Sequence, residues 1–455
     1  MDNNIIKSHM NRRQFLMGAA TAAMTAAAAT NHEKPAKTVK AKRTKQKVPP
    51  ASLIASAPVL QNAAETSMGV SFAVSADASG WVEYSKSPDM KDAVRAYSGG
   101  SGLMEVNGAI ALVRLTGLEP ATKYHYRIGA DRISYGGGYK MKNLGPETDS
   151  KIHSFTTLGA EVPGSFCVIN DTHNKKSAIG AALAKIRELA PSVVIWNGDA
   201  SNTSETIKDA MDIFIHTHPD YPEYASDTPY IFINGNHDFR GRFNRHLHDL
   251  MMFREPSERK SEYAELGRNF VQRLGDIALI GLDTGEDKLD DDPRFACIFR
   301  MKSYRELQTR WLAEAVDSPA VRTAKHKIAF CHIPLYDPRP GVNPGDVSMR
   351  SSAAAAYKPD FAVWQRGCAK MWGPHLERAG VQLVVTAHQH HFRHDPPTAT
   401  RPWTHIVGGG PIMDPARTEE FPTVIHGRVA NGRLKITVHN VRDGNIVFDE
   451  FIPDV

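Results

Sequence analysis

The sequence predicts an α/β protein in two folded parts, an all-β sandwich in front and a layered α/β domain behind it. Three observations predict it. Residues 51–158 hold short alternating apolar runs split by turn signals, the pattern of a β-sandwich. From residue 163 strand-like and helix-like segments alternate, the pattern of α/β layers. Five apolar runs in that second part stop abruptly at Asp, His and Asn side chains. The chain has 455 residues, enough for two or three domains at roughly 100–200 residues each. Its 41% hydrophobic and 23% charged residues allow an ordinary soluble core.

The first 50 residues stand apart. They hold ten Lys/Arg against two Asp/Glu, whereas the remaining residues hold 45 against 48. The net charge of +5 therefore comes from the front end, and no global basic face for nucleic acid is indicated. Arg12 and Arg13 precede an Ala-rich apolar stretch, Phe15 to Ala29, with Ala27 and Ala29 suiting an A-x-A cleavage. That stretch is shorter than the roughly 20 residues a membrane-spanning helix needs. Residues 12–16, Arg-Arg-Gln-Phe-Leu, resemble a twin-arginine export signal. The expectation is a signal peptide over 1–29, with a general secretory signal as the alternative, and a periplasmic or secreted protein with no transmembrane segment after cleavage. Residues 30–50 lack large apolar groups and read as a basic, disordered linker.

In the front part, Val70 to Val74, Gly80 to Tyr84, Ala109 to Leu115 and Ser154 to Thr157 read as strands. The stretch Leu118-Glu119-Pro120-Ala121-Thr122-Lys123-Tyr124-His125-Tyr126 resembles a fibronectin type III domain, and more closely the N-terminal domain of purple acid phosphatases. The resemblance implies that Tyr124 is a corner tyrosine with its hydroxyl tied to upstream backbone. Of the four cysteines, Cys167 and Cys331 sit in apolar runs and read as core residues. Spacing leaves a Cys297–Cys368 disulfide open. No CxxC pair supports a cysteine-type zinc site.

The chemistry lies at the five abrupt ends. Phe166 to Asn170 leads into Asp171-Thr172-His173, and Val193 to Trp196 into Asn197-Gly198-Asp199. Tyr230 to Ile233 leads into Asn234-Gly235-Asn236-His237-Asp238. Lys327 to Cys331 leads into His332, and Val381 to Ala387 into His388-Gln389-His390. In α/β sheets ligands gather outside the carboxyl ends of strands, so five such tips can converge on one spot. Each piece alone is weak. G-N-H-D has the least structural reason to follow an apolar strand, and the five in order point to a metal site.

That order resembles the calcineurin-like metallophosphoesterases, over residues 163–455. The resemblance implies an α/β/β/α sandwich behind the fibronectin III-like part. It also implies a phosphoesterase using two divalent cations, Mn²⁺, Fe²⁺ or Zn²⁺, whose bound hydroxide attacks phosphorus. Asp171, His173 and His390 would bind the first cation, Asn236, His332 and His388 the second, and Asp199 would bridge them. His237 would face the substrate and donate a proton to the leaving oxygen. Asp238 would orient the His237 ring, and Asn202 would hydrogen-bond near the site. Arg240 and His391 are candidate substrate contacts. Supporting stretches are the strand pair Arg273 to Thr284, the helix around Leu307 to Leu312, and closing strands from Val424 to Ile452.

Two departures stand out. Purple acid phosphatases carry a Tyr where this chain has Asn202, and Asp then Gly where it has His173, so no tyrosinate colour is expected. The last motif reads A-H-Q-H, with Ala387 in place of Gly, and retained geometry is expected. The Pro-, Gly-, Ser- and Ala-rich stretch 337–362 reads as a mobile loop that shapes specificity. The leading expectation is a phosphomonoesterase. The alternatives are a phosphodiesterase acting on nucleotides, lipids or envelope polymers, and a non-catalytic surface-binding protein. The sequence does not address oligomeric state.

Overall fold

The computed structural model describes residues 52–253, 260–336 and 359–455. The leader, the basic linker and most of the 337–362 stretch lie outside them. Residues 359–362 of that stretch are helical, not loop.

Period-two runs in the front part form β1 (Val59–Gln61), β2 (Ser67–Ala73), β3 (Ala78–Ser85), β4 (Val94–Tyr97), β5 (Gly99–Gly100), β6 (Leu103–Met104), β7 (Ile110–Thr116), β8 (Lys123–Tyr135), β9 (Met141–Thr148) and β10 (His153–Thr156). One of its sheets runs β10-β8-β3-β4, with β9 on β8. Tyr124 Oη accepts from Glu119 N at 3.0 Å, the corner bond expected of it.

Apolar runs and helical periods then alternate. They give β11 (Ser165–Ile169), α1 (Lys176–Leu189), β12 (Val193–Asn197), α2 (Ile207–Phe214), β13 (Tyr230–Ile233), β14 (Phe270–Leu274) and β15 (Ile277–Gly281). After these come α3 (Met301–Ala315), α4 (Pro319–Arg322), β16 (His326–Phe330), α5 (Pro359–Ala379) and β17 (Leu383–Thr386). The chain closes with β18 (Arg393–Asp395), β19 (Thr404–Val407), β20 (Thr423–Ala430), β21 (Arg433–Asn440) and β22 (Ile446–Phe451). Two sheets result, one of nine strands in the order β22-β21-β20-β11-β12-β13-β1-β2-β7, and one of six in the order β14-β15-β16-β17-β19-β18.

Side-chain alternation shows why the two sheets stack. Val168, Ile195 and Ile231 point inward to a core shared with Leu279, Ile328 and Leu383 of the other sheet. Their neighbours Cys167, Val194 and Phe232 point outward, against α1 and α2. Ala278, Ala329 and Val384 point outward on the second sheet, against α3 and α5. Strands buried on both faces need the continuous apolar runs the sequence shows. Phe166 and Phe330 meet edge to face across the sheets, with ring centres 5.8 Å apart.

The front part is not sealed off. Its strands β1, β2 and β7 extend the nine-stranded sheet, through Gln61 paired with Tyr230. Asn62 N donates to Tyr230 O at 2.7 Å, and Tyr126 Oη donates to Ser226 O at 2.7 Å. The expected β domain in front is present, and its strands continue the larger sheet. The open disulfide question is also settled. Cys368 is buried on α5 and Cys297 is exposed, and all four cysteines are free.

Candidate metal centre

The five strand tips converge, and they come from both sheets. Loops after β11, β12 and β13 bring Asp171, His173, Asp199 and Asn236, while those after β16 and β17 bring His332, His388 and His390. Two groups form around one shared carboxylate. Ligand-type atoms of Asp171, His173, Asp199 and His390 lie within 4.8 Å of one another, as do those of Asp199, His332 and His388. Asn236 joins the second group, its Oδ1 2.9 Å from His388 Nδ1.

The backbone is bent to achieve this. Asp171, His173, Asp199, His388 and His390 all have positive φ, between 44° and 68°. Few non-glycine residues adopt that region, and each costs of order 1–3 kcal/mol unless the surroundings hold it. Glycine makes the closest approaches possible. A Cβ on Gly198 would stand 2.3 Å from His332 Nδ1, and one on Gly235 would stand 2.2 Å from Asp199 Oδ1. Ala387 needs no such freedom, because the positive φ begins at His388.

Neighbours fix the rings. Asn202 Oδ1 accepts from His173 Nδ1 at 2.7 Å, and Asn197 O accepts from His332 Nδ1 at 2.9 Å. Each bond turns the other ring nitrogen, Nε2, into the centre, which is how metal-ligating histidines are usually held. Asp171 Oδ2 accepts from His388 N at 2.9 Å and from Asn170 Nδ2 at 2.8 Å. Three strand-end asparagines were not singled out by the sequence reading. Asn170 Nδ2 also donates to Gly409 O, and Asn197 Nδ2 donates to Cys331 O, tying one sheet to the other. Asn234 is fully buried with both amide atoms unpartnered. Their signal was repetition, an Asn at each of three consecutive apolar ends.

The residues fit a cation. Asp171 Oδ1 and His332 Nε2 are buried 3.8 Å apart, and neither meets a partner at hydrogen-bond geometry. His173 Nε2 and His390 Nε2 face each other at 3.0 Å. Unpaired buried polar atoms are costly, and divalent ions with carboxylate and imidazole ligands would satisfy Asp171 Oδ1 and His332 Nε2. The electrostatics agree. Burial opposes charge on His332, yet the Asp199 and Asp171 carboxylates push its pKa up to about 10. Burial likewise opposes charge on Asp199, yet His332, His237 and His173 hold it well below the usual carboxylate range. The cradle attracts positive charge.

Three of the predicted residues meet partners that the sequence did not indicate. Asp238 does not orient His237. Its carboxylate accepts from Ser201 N, Ser201 Oγ and Gly235 N, and so splices the loops after β12 and β13. His237 meets two neighbours. Its Nδ1 faces Asn202 O at 3.2 Å and its Nε2 faces Arg240 Nη1 at 3.1 Å. A guanidinium only donates, so Nε2 is the acceptor. Burial, opposed by Asp199 and reinforced by Arg240, lowers the His237 pKa to about 4. Arg240 is not a free phosphate contact, because Glu286 and Asp287 accept from it at 2.7 and 3.0 Å. Those two carboxylates were missed by the sequence reading. His391 Nδ1 lies 2.8 Å from Gln389 O.

Comparison with known proteins decides the family. Residues 164–392 match the model of the calcineurin-like phosphoesterases. The chain belongs to that family. Residues 57–157 match the purple acid phosphatase N-terminal domain. Purple acid phosphatase PPD1 from yellow lupin (Lupinus luteus) seeds is similar in structure, with TM-score 0.56 and 14% identity over 86% of this chain and 73% of that one. The structure of PhoD is similar too, with TM-score 0.56 and 12% identity over 87% of this chain and 92% of that one. At such identities these likenesses concern the fold. No curated protein matches the chain. Membership and the convergent cluster together make this calcineurin-like phosphoesterase a metal-dependent enzyme.

Proposed function

We propose that the protein is an exported phosphatase that holds two divalent cations and hydrolyses phosphate monoesters. The observation that carries the reading is the shared Asp199 carboxylate, which belongs to both ligand groups at once. Asp171, His173 and His390 would hold one cation with it, and Asn236, His332 and His388 the other. Two cations so placed lower the pKa of a bound water and neutralise charge on phosphoryl oxygens. The protein's own groups do the rest. Asn202 and Asn197 keep His173 and His332 aimed. His237, at the open side, meets the leaving oxygen once its Nε2 exchanges Arg240 for the ester.

The monoester reading is supported by the purple-acid-phosphatase-type front part. A diester reading is favoured by one feature of the site. Arg240, the cation beside His237, is already bound to Glu286 and Asp287, which disfavours the second negative charge of a monoester. Hydrolysis of nitrophenyl phosphate against its bis-ester, with Mn²⁺ added, separates the two. Faster turnover of the bis-ester would reverse the order proposed. Export rests on Arg12, Arg13 and the Ala-rich run, and loss of export on Arg12→Lys/Arg13→Lys tests it.

A further inference from the structure

Apolar exposure is unevenly spread over the described residues. Of the twelve large hydrophobic side chains most open to solvent, eight fall between Val94 and Leu144. Most of them sit on two hairpins. β5–β6 carries Leu103 and Met104. β8–β9 forms a two-stranded arm, for β9 pairs with β8 alone. Its register sets Tyr135 opposite Met141 and Ser134 opposite Lys142. Side chains alternate across a strand, so Ile133, Tyr135 and Met141 share one face, and Ser134 and Lys142 share the other. Tyr139 stands fully exposed beyond the Gly136-Gly137-Gly138 turn. Soluble proteins seldom leave such clustered apolar surface uncovered without a use for it.

Asp131 and Glu147 stand at the base of this arm, and beyond them its charge is of one sign. Residues 132–146 contain Arg132, Lys140 and Lys142 and no Asp or Glu. Tyrosines and long apolar side chains beside lysines are the composition of segments that lie in the headgroup layer of anionic membranes. Geometry adds two further points. Trp81 pairs with Tyr97 and Ala78 with Arg132, so β4 and β8 run toward the same end of their sheet and both hairpins project there. β1 is parallel to β13, with Gln61 beside Tyr230, and β2 returns antiparallel, with Ser71 beside Val59. β2 therefore descends away from the carboxyl ends of β11–β13 and delivers the chain to the hairpin end. The arm points away from the metal centre. Ser52 Oγ and Leu53 N both bond Glu147 near the arm's base.

We propose that the β8–β9 arm, with β5–β6 beside it, docks the protein on an anionic lipid bilayer. A second copy of the chain is the poorer occupant, since pairing two arms juxtaposes like charges. Docking here leaves the phosphoesterase centre facing the aqueous side, toward substrates that diffuse in water.

The test uses the full chain and vesicles of phosphatidylcholine with or without phosphatidylglycerol. Tyr139→Trp adds one indole to the six native ones. Its extra emission is expected to be quenched by brominated lipid only when phosphatidylglycerol is present. Lys140→Glu and Lys142→Glu are each expected to weaken partition by at least about fivefold, the effect of one charge near such a surface. Tyr135→Ser/Met141→Ser is expected to remove the quenching while keeping the thermal midpoint of the parent. Unquenched emission from Trp introduced at 139 in chains that do bind vesicles overturns the proposal, because binding then runs through the leader alone. A concentration-dependent dimer in sedimentation, dissolved by Tyr135→Ser/Met141→Ser and unaffected by lipid, also overturns it in favour of self-association.

Discussion

Replacing Asn202 by alanine removes one acceptor from the centre and little else. The residue is exposed, so no core is opened. Its Oδ1, 2.7 Å from His173 Nδ1, is what keeps the other ring nitrogen aimed at Asp199, 3.6 Å away. Its backbone carbonyl, which faces His237, stays in the variant. Loss of a partner that orients a metal-ligating histidine typically costs 10–100-fold in affinity, about 1.4–2.7 kcal/mol. The geometry restricts that loss to one group, because His332 is held separately by Asn197 O. Titration of metal-stripped Asn202→Ala with Mn²⁺, followed by calorimetry, is expected to show one binding step weakened by that factor and the other unchanged. Asn202→Asp, which keeps the acceptor, is expected to restore the weakened step. Equal weakening of both steps, or of neither, would refute the claim that Asn202 acts through His173.

Asp199→Ala is expected to abolish metal loading and hydrolysis together, because both ligand groups use that carboxylate; a fully active variant defeats the site. His237→Ala is expected to retain metal and lose roughly 10²–10⁴-fold in turnover, measured at saturating ester. Phe166→Ala is expected to cost about 3–5 kcal/mol, seen as a lower denaturation midpoint in urea, since the ring is fully buried against Phe330 between the sheets. His405 is buried between Thr386 Oγ1 at 2.8 Å and Asp395 Oδ2 at 3.1 Å. Burial, against the pull of Asp395, lowers its pKa from 6.5 to about 4. The folded ring stays neutral where the unfolded one takes up a proton. Its contribution is therefore present above pH 6.5 and is lost as pH falls through about 4. His405→Gln is expected to flatten the decline in thermal midpoint over that window, and an unchanged slope would refute the assignment.

How much of this was legible in the sequence depends on the range of each interaction. The strand tips were legible because burial on both faces demands unbroken apolar runs, and chemistry at a tip demands that the run stop. Val168 and Cys167 serve opposite faces of one sheet, and both had to be apolar. Which sheet each run joins was not legible, since β11 and β16 read alike yet lie in different layers. The continuation of the sheet into the front part was not legible for the same reason. One backbone pairing, Gln61 with Tyr230, continues the sheet, and a backbone hydrogen bond leaves no residue signature.

At the site, residue type announced the ligands, but not the electrostatics around them. Arg240 read as a cation available for phosphate, and its neutralising partners stand 46 and 47 positions away. With Glu286 and Asp287 holding that guanidinium, its Nη1 donates to His237 Nε2. The strain was equally hidden. Asp171 and His388 look ordinary as letters, yet both have positive φ, and Asp171 Oδ2 holds the backbone N–H of His388 directly. That one bond joins the first tip to the last, across both sheets. The bent geometry at His388 thus depends on a ligand of the other group, so Asp171 serves both halves of the centre.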